Sequence, residues 1–265
     1  MLVRSWNLFH GNTVPPGRHA YLDQMIDLAT ADDPDVLCVQ EVPAWALGRF
    51  TVGDVAARPT FGPFPIPASL GRRLTSIDTG LLRSLFEGQG NAIQLSSRLR
   101  VLDHGVLALN SARFRRVEAR SFGLDLVERL AWGKERRIVQ AVRVSRGDGP
   151  PFVVANLHCT GFRPDIRVTE AELLRAAWFT VSFARPEEPV VFAGDFNLTP
   201  FGSQTLRDLT GPDWEFSDAG PGIDHILVRG GASVSPIRRW DDERRAFGDV
   251  LLSDHAPVEL DLELD

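Results

Sequence analysis

Cysteine is scarce in this chain: Cys38 and Cys159 are the only two, and both lie in apolar, strand-like runs. That excludes a disulfide framework and a thiolate metal cluster, and buried free thiols are the expected state. Lysine is scarcer still. Lys134 is the single example, so nearly every cation is arginine, the bias a GC-rich coding sequence produces, and arginine clusters are discounted accordingly. No apolar run approaches the roughly 18 residues of a membrane span. The amino terminus MLVRSWNLFH lacks the long apolar core of a signal peptide, so a cytoplasmic location without stable membrane association is expected. A net charge of −6 excludes a surface that is basic all over, as a general nucleic-acid clamp requires, while a local basic patch is still allowed. Repeats and low-complexity tracts are absent too.

What is present is the composition of a globular protein, with 43% hydrophobic and 24% charged residues in a chain of 265, enough for one large core. A single domain over 1–265, monomeric in solution, is the expectation. Short β-branched or aliphatic runs predict strands at 2–9, 35–42, 91–95, 100–109, 138–144, 152–158, 189–193, 223–228 and 257–262. A helix is predicted over 18–30, with Leu22, Met25, Ile26 and Ala29 on one stripe and Pro34 ending it. A second covers 169–184, where Thr169 and Glu172 have the spacing of a capping box and Leu173, Ala177 and Val181 share a face. Shorter helices are expected at 44–50 and 203–209. The stretches 58–80 and 230–248, the latter containing RRWDDERR, read as long surface loops of the kind that often bind ligands.

Several apolar runs end in residue types that hold metals or phosphates: Asn7 in SWN, Glu41 in VLCVQE, Asn156 and His158 in VVANLH, and Asp195 and Asn197 in VVFAGDFN. Two further groups stand at strand beginnings, Asp224 in GIDHILV and Asp254 with His255 in SDHAPVEL. Polar groups at carboxyl ends alone would suit a parallel sheet. This mixture needs antiparallel neighbours to bring both kinds of strand end to one rim. The strand period puts Asn156 and His158 on one face, and Asp195 with Asn197 if extension continues through GDFN, leaving Phe196 in the core. Gly194 suits a close backbone approach. His225 points away from Asp224 on an extended strand and reads as structural. Taken singly, Glu41 is equally a surface carboxylate, His158 a satisfied core histidine and SDH a turn. The signal is their ordered combination.

The segments SWN, VQEV, GNAI, NLHCTG, GDFNLTP, IDHIL and SDHAPV follow one another from residue 5 to residue 258. In this series the chain resembles the endonuclease/exonuclease/phosphatase superfamily, the DNase I-like metal-dependent phosphoesterases. The resemblance implies an α/β fold, a four-layer sandwich in which two mixed, mainly antiparallel sheets pack face to face with helices outside. It implies that Glu41 is the principal ligand of a divalent metal, with Asn7 and Asp254 nearby, and oxygen donors of this kind suit Mg²⁺ or Mn²⁺ rather than zinc. Asp195 matches the residue that positions or deprotonates the attacking water, and Asn197 the one that donates to a phosphate oxygen. Asp224 matches the carboxylate that orients a histidine, here His255, and His158 matches a second histidine beside the phosphate or the leaving oxygen. Phe9 stands where abasic-site endonucleases usually carry an acidic residue, and His158 where they often have tyrosine. Leu198 and Thr199 depart from the aromatic and arginine that follow the same motif in inositol polyphosphate 5-phosphatases. Neither substrate is favoured.

The expected function is therefore metal-dependent hydrolysis of a phosphodiester by direct water attack, with nucleic acid a candidate substrate. A phosphatase or phospholipase acting on a phosphorylated lipid or small metabolite is the alternative, since one fold serves many substrates. Arg113, Arg115 and Arg116 beside Phe114, and Arg238, Arg239, Arg244 and Arg245 beside Trp240, combine the residue types that contact nucleic-acid backbone and bases. A non-catalytic binding protein on the same scaffold is a third class. Against it stands the presence of all the residues such proteins usually lose, Glu41, Asp195, Asn197, Asp224, Asp254 and His255 among them.

Overall fold

A computed structural model describes residues 1–17, 19–57, 88–161, 165–217 and 219–264; the loop expected at 58–80 lies outside them. The chain forms two compact units, one from Met1–Arg98 with Ser235–Leu262, the other built on Leu99–Val234. The first opens with β1 (Leu2–Asn7), β2 (Thr13–Val14), α1 (Leu22–Thr30), β3 (Val36–Pro43), β4 (Val52–Ala57) and β5 (Gln89–Leu95). β1 pairs in parallel with β3, and β5 lies antiparallel between β3 and β4. Leu22, Met25 and Ala29 of α1 join Trp6, Leu37 and Val39 of the strands in one apolar cluster, which is why that stripe repeats at helical spacing. The helix begins at Leu22 and not at 18, because the preceding chain is held in a turn: Tyr21 N donates to Gly11 O and Thr13 Oγ1 to Pro15 O, each at 2.9 Å. The expected helix at 44–50 is a 3-10 helix over Ala44–Arg49. β4 was not foreseen, since Gly53 and Asp54 interrupt its apolar pattern.

The second unit contains β6 (Leu99–Ala108), α2 (Ala112–Ser121), α3 (Leu126–Gly133), β7 (Ile138–Arg146), β8 (Phe152–His158), α4 (Ile166–Phe183), β9 (Val190–Asp195), α5 (Gln204–Leu209), β10 (Asp224–Arg229) and a short β11 (Ala232–Val234). Its sheet has the order β10-β9-β8-β7-β6, parallel at β8–β9 and antiparallel elsewhere. Every residue of β8 and β9 is buried, which accounts for their continuous apolar runs. α4 lays Leu173, Ala176 and Ala177 on Val139, Ala155 and Phe192. It starts at Ile166, a turn earlier than expected, because Asp165 is the residue that caps it, accepting from Arg167 N at 3.0 Å. Thr169 and Glu172 are therefore not a capping box. Thr169 Oγ1 donates to Thr160 O at 2.6 Å, and the buried Glu172 carboxylate accepts from Trp132 Nε1 (2.6 Å), Thr160 N (2.7 Å) and Thr160 Oγ1 (2.9 Å). Ser203 caps α5 through Leu206 N at 2.9 Å, as its position suggests. Cys38 and Cys159 are buried and free, and burial pushes both thiols up. No helix among the described residues is long and apolar enough to cross a membrane.

The chain then returns to the first unit with β12 (Arg238–Arg239), β13 (Ala246–Phe247), β14 (Val250–Leu252) and β15 (Val258–Leu264). β15 lies antiparallel to β1 and carries β12 on its other side, while β13, β14 and β2 form a small sheet of their own. The stretch 230–248 is thus not an open surface loop, and most of its arginines are committed. Arg4, fully buried, donates to Glu259 Oε2 (2.9 and 2.7 Å), Ala29 O (2.6 Å) and Asp32 Oδ2 (2.9 Å). The Arg4 and Arg244 guanidiniums both lie against the buried Trp240 ring, 4.5 and 3.6 Å from its centroid. Arg244 also pairs with Asp32, Arg238 with Asp261 at 2.8 Å and Arg245 with Asp242 at 2.6 Å.

Two predictions follow from these contacts. Burial alone would raise the Glu259 carboxyl, but the Trp240 indole and the Arg4 and Arg244 guanidiniums outweigh it and hold the group below its ordinary range. The stabilisation is therefore complete above the ordinary glutamate range and fades as pH falls through the depressed value. Replacing Arg4 takes from Glu259 its one fully buried partner and leaves the longer contacts to Arg244 and Arg238, so Arg4→Ala should cost about 3 kcal/mol in urea unfolding at neutral pH, and the deficit should shrink in acid. A deficit independent of pH would mean that Arg4 acts through packing alone. The second concerns β9. Gly194 has φ +139°, and a Cβ there would lie 2.0 Å from the Leu157 carbonyl oxygen of β8. Gly194→Ala should destabilise the chain by about 3 kcal/mol or more, read as a lowered unfolding midpoint.

Candidate active site

At one edge of the second unit's sheet, three neighbouring strands present ionisable residues in register. His158, the last residue of β8, has Asp195, the last of β9, as its Cα partner, and Asp195 in turn faces Asp224, the first residue of β10. The polarity is the one the sequence demanded: two carboxyl ends and one amino end meet because β10 runs antiparallel to the other two. Asp195 is buried, with Oδ2 3.4 Å from His158 Nε2. Gly194 makes this possible, since only a residue without a side chain lets β9 approach Leu157 so closely.

Extension does not continue through GDFN. β9 ends at Asp195, and Asn197 adopts the left-handed region with φ 54°. The cause is the buried carboxylate, which needs donors and takes the Asn197 N–H on Oδ1 at 3.0 Å, closing an Asx turn. Asn197 reaches this edge by a turn and not by the strand period, and its Nδ2 donates to Cys159 O at 3.0 Å. Phe196 is in the core as expected, 5.0 Å from Phe192 between ring centroids. His225 is structural: buried, it donates from Nε2 to Leu198 O at 2.8 Å, and burial keeps it below its ordinary pKa and so neutral. Asn156 is buried on β8 opposite Gln140.

Arg137 escaped the sequence reading. It immediately precedes β7, whose Val139 faces Leu157, and so falls beside the end of β8. Its Nη1 lies 2.8 Å from Nδ1 and 3.0 Å from Nε2 of His158, and its Nη2 pairs with Glu135 at 2.9 Å. The only trace in the sequence is a cation directly before a strand, a common arrangement with no chemistry of its own.

The first unit assembles the remaining residues. Asn7 ends β1 and is buried, its Oδ1 accepting from Phe9 N at 3.0 Å. Glu41 falls where the β3–β5 register shifts between Val39 and Val42, with φ 53°. Such a bulge re-aims a side chain at a strand end. The segment before β15 is tied to the end of β1: Ser253 Oγ donates to Asn7 O at 2.7 Å and accepts from His255 N at 3.1 Å, while Trp6 Nε1 donates to His255 O at 2.9 Å. Asp254 is exposed, with Oδ1 4.0 Å from His255 Nε2. His10 was also missed. It is buried at φ 54°, and its Nε2 lies 3.2 Å from Glu41 Oε2. Sequence gives no warning of a histidine three residues past a strand folding back on the neighbouring one.

The first unit's donors, carboxylate and carboxamide oxygens, are those of a hard divalent cation, and the chain's two thiols are too deeply buried to make thiolate ligands. In the second unit the carboxylates of Asp195 and Asp224 stand with His158 and Arg137, a mixture of proton acceptors and anion-binding donors.

No curated protein matches the chain in sequence. Among solved structures it is similar to the endonuclease/exonuclease/phosphatase from Bacteroides vulgatus, with TM-score 0.66 and 17% identity over 100% of this chain and 98% of that one. D. rerio TDP2 complexed with single strand DNA product gives 0.62 and 13% over 99% and 98%. A mannosyl-6-phosphatase of Bacteroides thetaiotaomicron gives 0.61 and 16% over the whole of both chains. At these identities the likeness speaks for the fold, an α/β architecture of mixed sheets and helices of the DNase I-like type. The sequence profile of the Endonuclease/Exonuclease/phosphatase family matches residues 5–255. The chain belongs to the endonuclease/exonuclease/phosphatase family.

Proposed function

We propose that the chain is a divalent-metal-dependent phosphodiesterase that hydrolyses its ester by direct attack of water, as one cytoplasmic, monomeric domain over 1–265. The observation that carries the reading is the in-register row His158, Asp195 and Asp224 on three adjacent strands. A buried carboxylate with a histidine at 3.4 Å is suited to take a proton from water and to hold that water in line. Asn197 and His158 donate to phosphoryl oxygens, and Arg137 adds a fixed positive charge beside them. The family resemblance assigns His255 the protonation at the scissile phosphate and Asp224 the orienting of that histidine. Glu41, with Asn7 and Asp254, would hold Mg²⁺ or Mn²⁺, which when bound offsets charge on the phosphoryl oxygens.

The substrate class is chosen between two readings. A phosphodiester in nucleic acid is in keeping with the complex of D. rerio TDP2 with a single-strand DNA product, and a small phosphorylated metabolite with the Bacteroides mannosyl-6-phosphatase. The Arg238–Arg245 cluster no longer favours the first, because the guanidiniums of Arg238, Arg244 and Arg245 are engaged with Asp32, Asp242, Glu259 and Asp261.

With bis(p-nitrophenyl) phosphate and Mn²⁺, Asp195→Asn and His255→Ala should each lower turnover by about 10²-fold or more while leaving the unfolding midpoint in place. Glu41→Gln should weaken Mn²⁺ binding followed by electron paramagnetic resonance, a readout that does not require turnover. Normal activity in both of the first two variants would defeat the assigned roles.

A further inference from the structure

The α2–α3 hairpin has an inverted polarity. Its aromatic residues are inside: Trp132 is buried with Ala119, Leu124 and Val168, and Phe114 and Phe122 pack against that cluster. Four aliphatic residues are outside. Leu126, Val127 and Leu130 of α3 are 71, 73 and 67% exposed, and Val117 of α2 is 57% exposed. A short helix whose solvent-facing crest is aliphatic loses the benefit of burial unless something covers it.

The same hairpin is a basic island in an acidic chain. From Leu109 to Arg137 eight arginine or lysine residues stand against four carboxylates, whereas the whole chain carries −6. Two of those carboxylates, Asp125 and Glu128, are locked in the capping box of α3. Arg115, Arg116, Arg120 and Arg129 border a cavity of about 280 Å³ whose wall includes Trp132. Among the described residues none of these four guanidiniums forms an ion pair.

The two features select one occupant. Single-stranded nucleic acid is held by cations together with exposed aromatic rings for the bases to stack on, and here the rings face inward. An anionic bilayer offers both of the required complements, phosphate groups for the guanidiniums and an acyl boundary for the aliphatic crest. We propose that the α2–α3 hairpin is a reversible docking face for anionic phospholipid surfaces, with a headgroup phosphate received in the arginine-lined cavity. The hairpin springs from the edge of the sheet that carries His158, since Ala108 faces Ile138 and Val139 faces Leu157. Asn110 fastens it there, donating to Glu135 O at 2.6 Å and accepting from Arg137 N at 2.8 Å.

The test is co-sedimentation of the whole chain with phosphatidylcholine vesicles, with and without phosphatidylglycerol, at low and high salt. It reads binding and is independent of the catalytic assignment. Binding should require phosphatidylglycerol and weaken with salt. The triple variant Leu126→Gln/Val127→Gln/Leu130→Gln and the double variant Arg116→Glu/Arg120→Glu should each lower the partition coefficient about tenfold or more, with unchanged circular dichroism and melting. All these positions are exposed or border solvent, so folding is not at stake. Absence of binding to anionic vesicles, or wild-type binding by the triple variant, would overturn the proposal. So would binding of a single-stranded oligonucleotide that the double variant loses and the triple variant keeps, which would assign the face to nucleic acid.

Discussion

The row of ionisable residues at the second unit's sheet edge depends on one close approach, that of Gly194 to Leu157. β8 and β9 are parallel neighbours, and their register sets His158 against Asp195. At φ +139° and with no Cβ, Gly194 lets the two backbones meet where any side chain would strike the Leu157 carbonyl. The antiparallel β10 extends the same register by one strand and adds Asp224. Three residues far apart in sequence are thereby fixed by backbone hydrogen bonds, which are more exact than loops and whose errors do not accumulate over long side chains.

Placing ionisable groups on buried strand ends creates a second constraint, because each carboxylate needs donors once water is withdrawn. The chain meets it locally. Asp195 bends the chain after β9 to obtain the Asn197 N–H, and this bend, not the strand, positions Asn197. In the first unit Ser253 links the end of β1 to the backbone of His255, so the SDH segment is set by hydrogen bonds from residues with no chemical role. Arg4 and Glu259 follow the same logic away from the site: the guanidinium is wholly buried, and its donors are consumed by carboxylates and a carbonyl.

These constraints explain what could be read in the sequence. Strands were legible because burial of both faces makes them continuous apolar runs, and the run from Phe152 to His158 matches β8 to the residue. The polar residues at strand ends were legible as a set, and the need for antiparallel neighbours followed from which ends they occupied. Four things were not. β4 is broken by Gly53 and Asp54. α2 and α3 hide because apolar residues stand on both of their faces, Phe114, Ala119 and Trp132 inward and Val117, Leu126, Val127 and Leu130 outward, which blurs the single stripe that marks a helix packed on a core. The spacing of Thr169 and Glu172 mimics a cap, but both are engaged with Thr160 inside the helix. Arg137 and His10 become neighbours of His158 and Glu41 only through strand pairing and a left-handed turn, which leave no local signature.

Glu172 shows how the hairpin and the sheet edge that carries His158 are joined. A fully buried carboxyl on α4 is raised by burial, against which three hydrogen bonds act in the opposite direction. One comes from Trp132, the residue around which α2 and α3 pack, and two from Thr160, which follows His158 and Cys159 in the chain. A glutamate here costs more than an apolar residue of the same size unless all of its acceptors are used. Using them ties the hairpin to the segment leaving β8. The polar core of the second unit thus does what an apolar contact could not: it fixes the orientation of a hairpin whose outer face is free of the sheet, and it does so through the residues that adjoin His158.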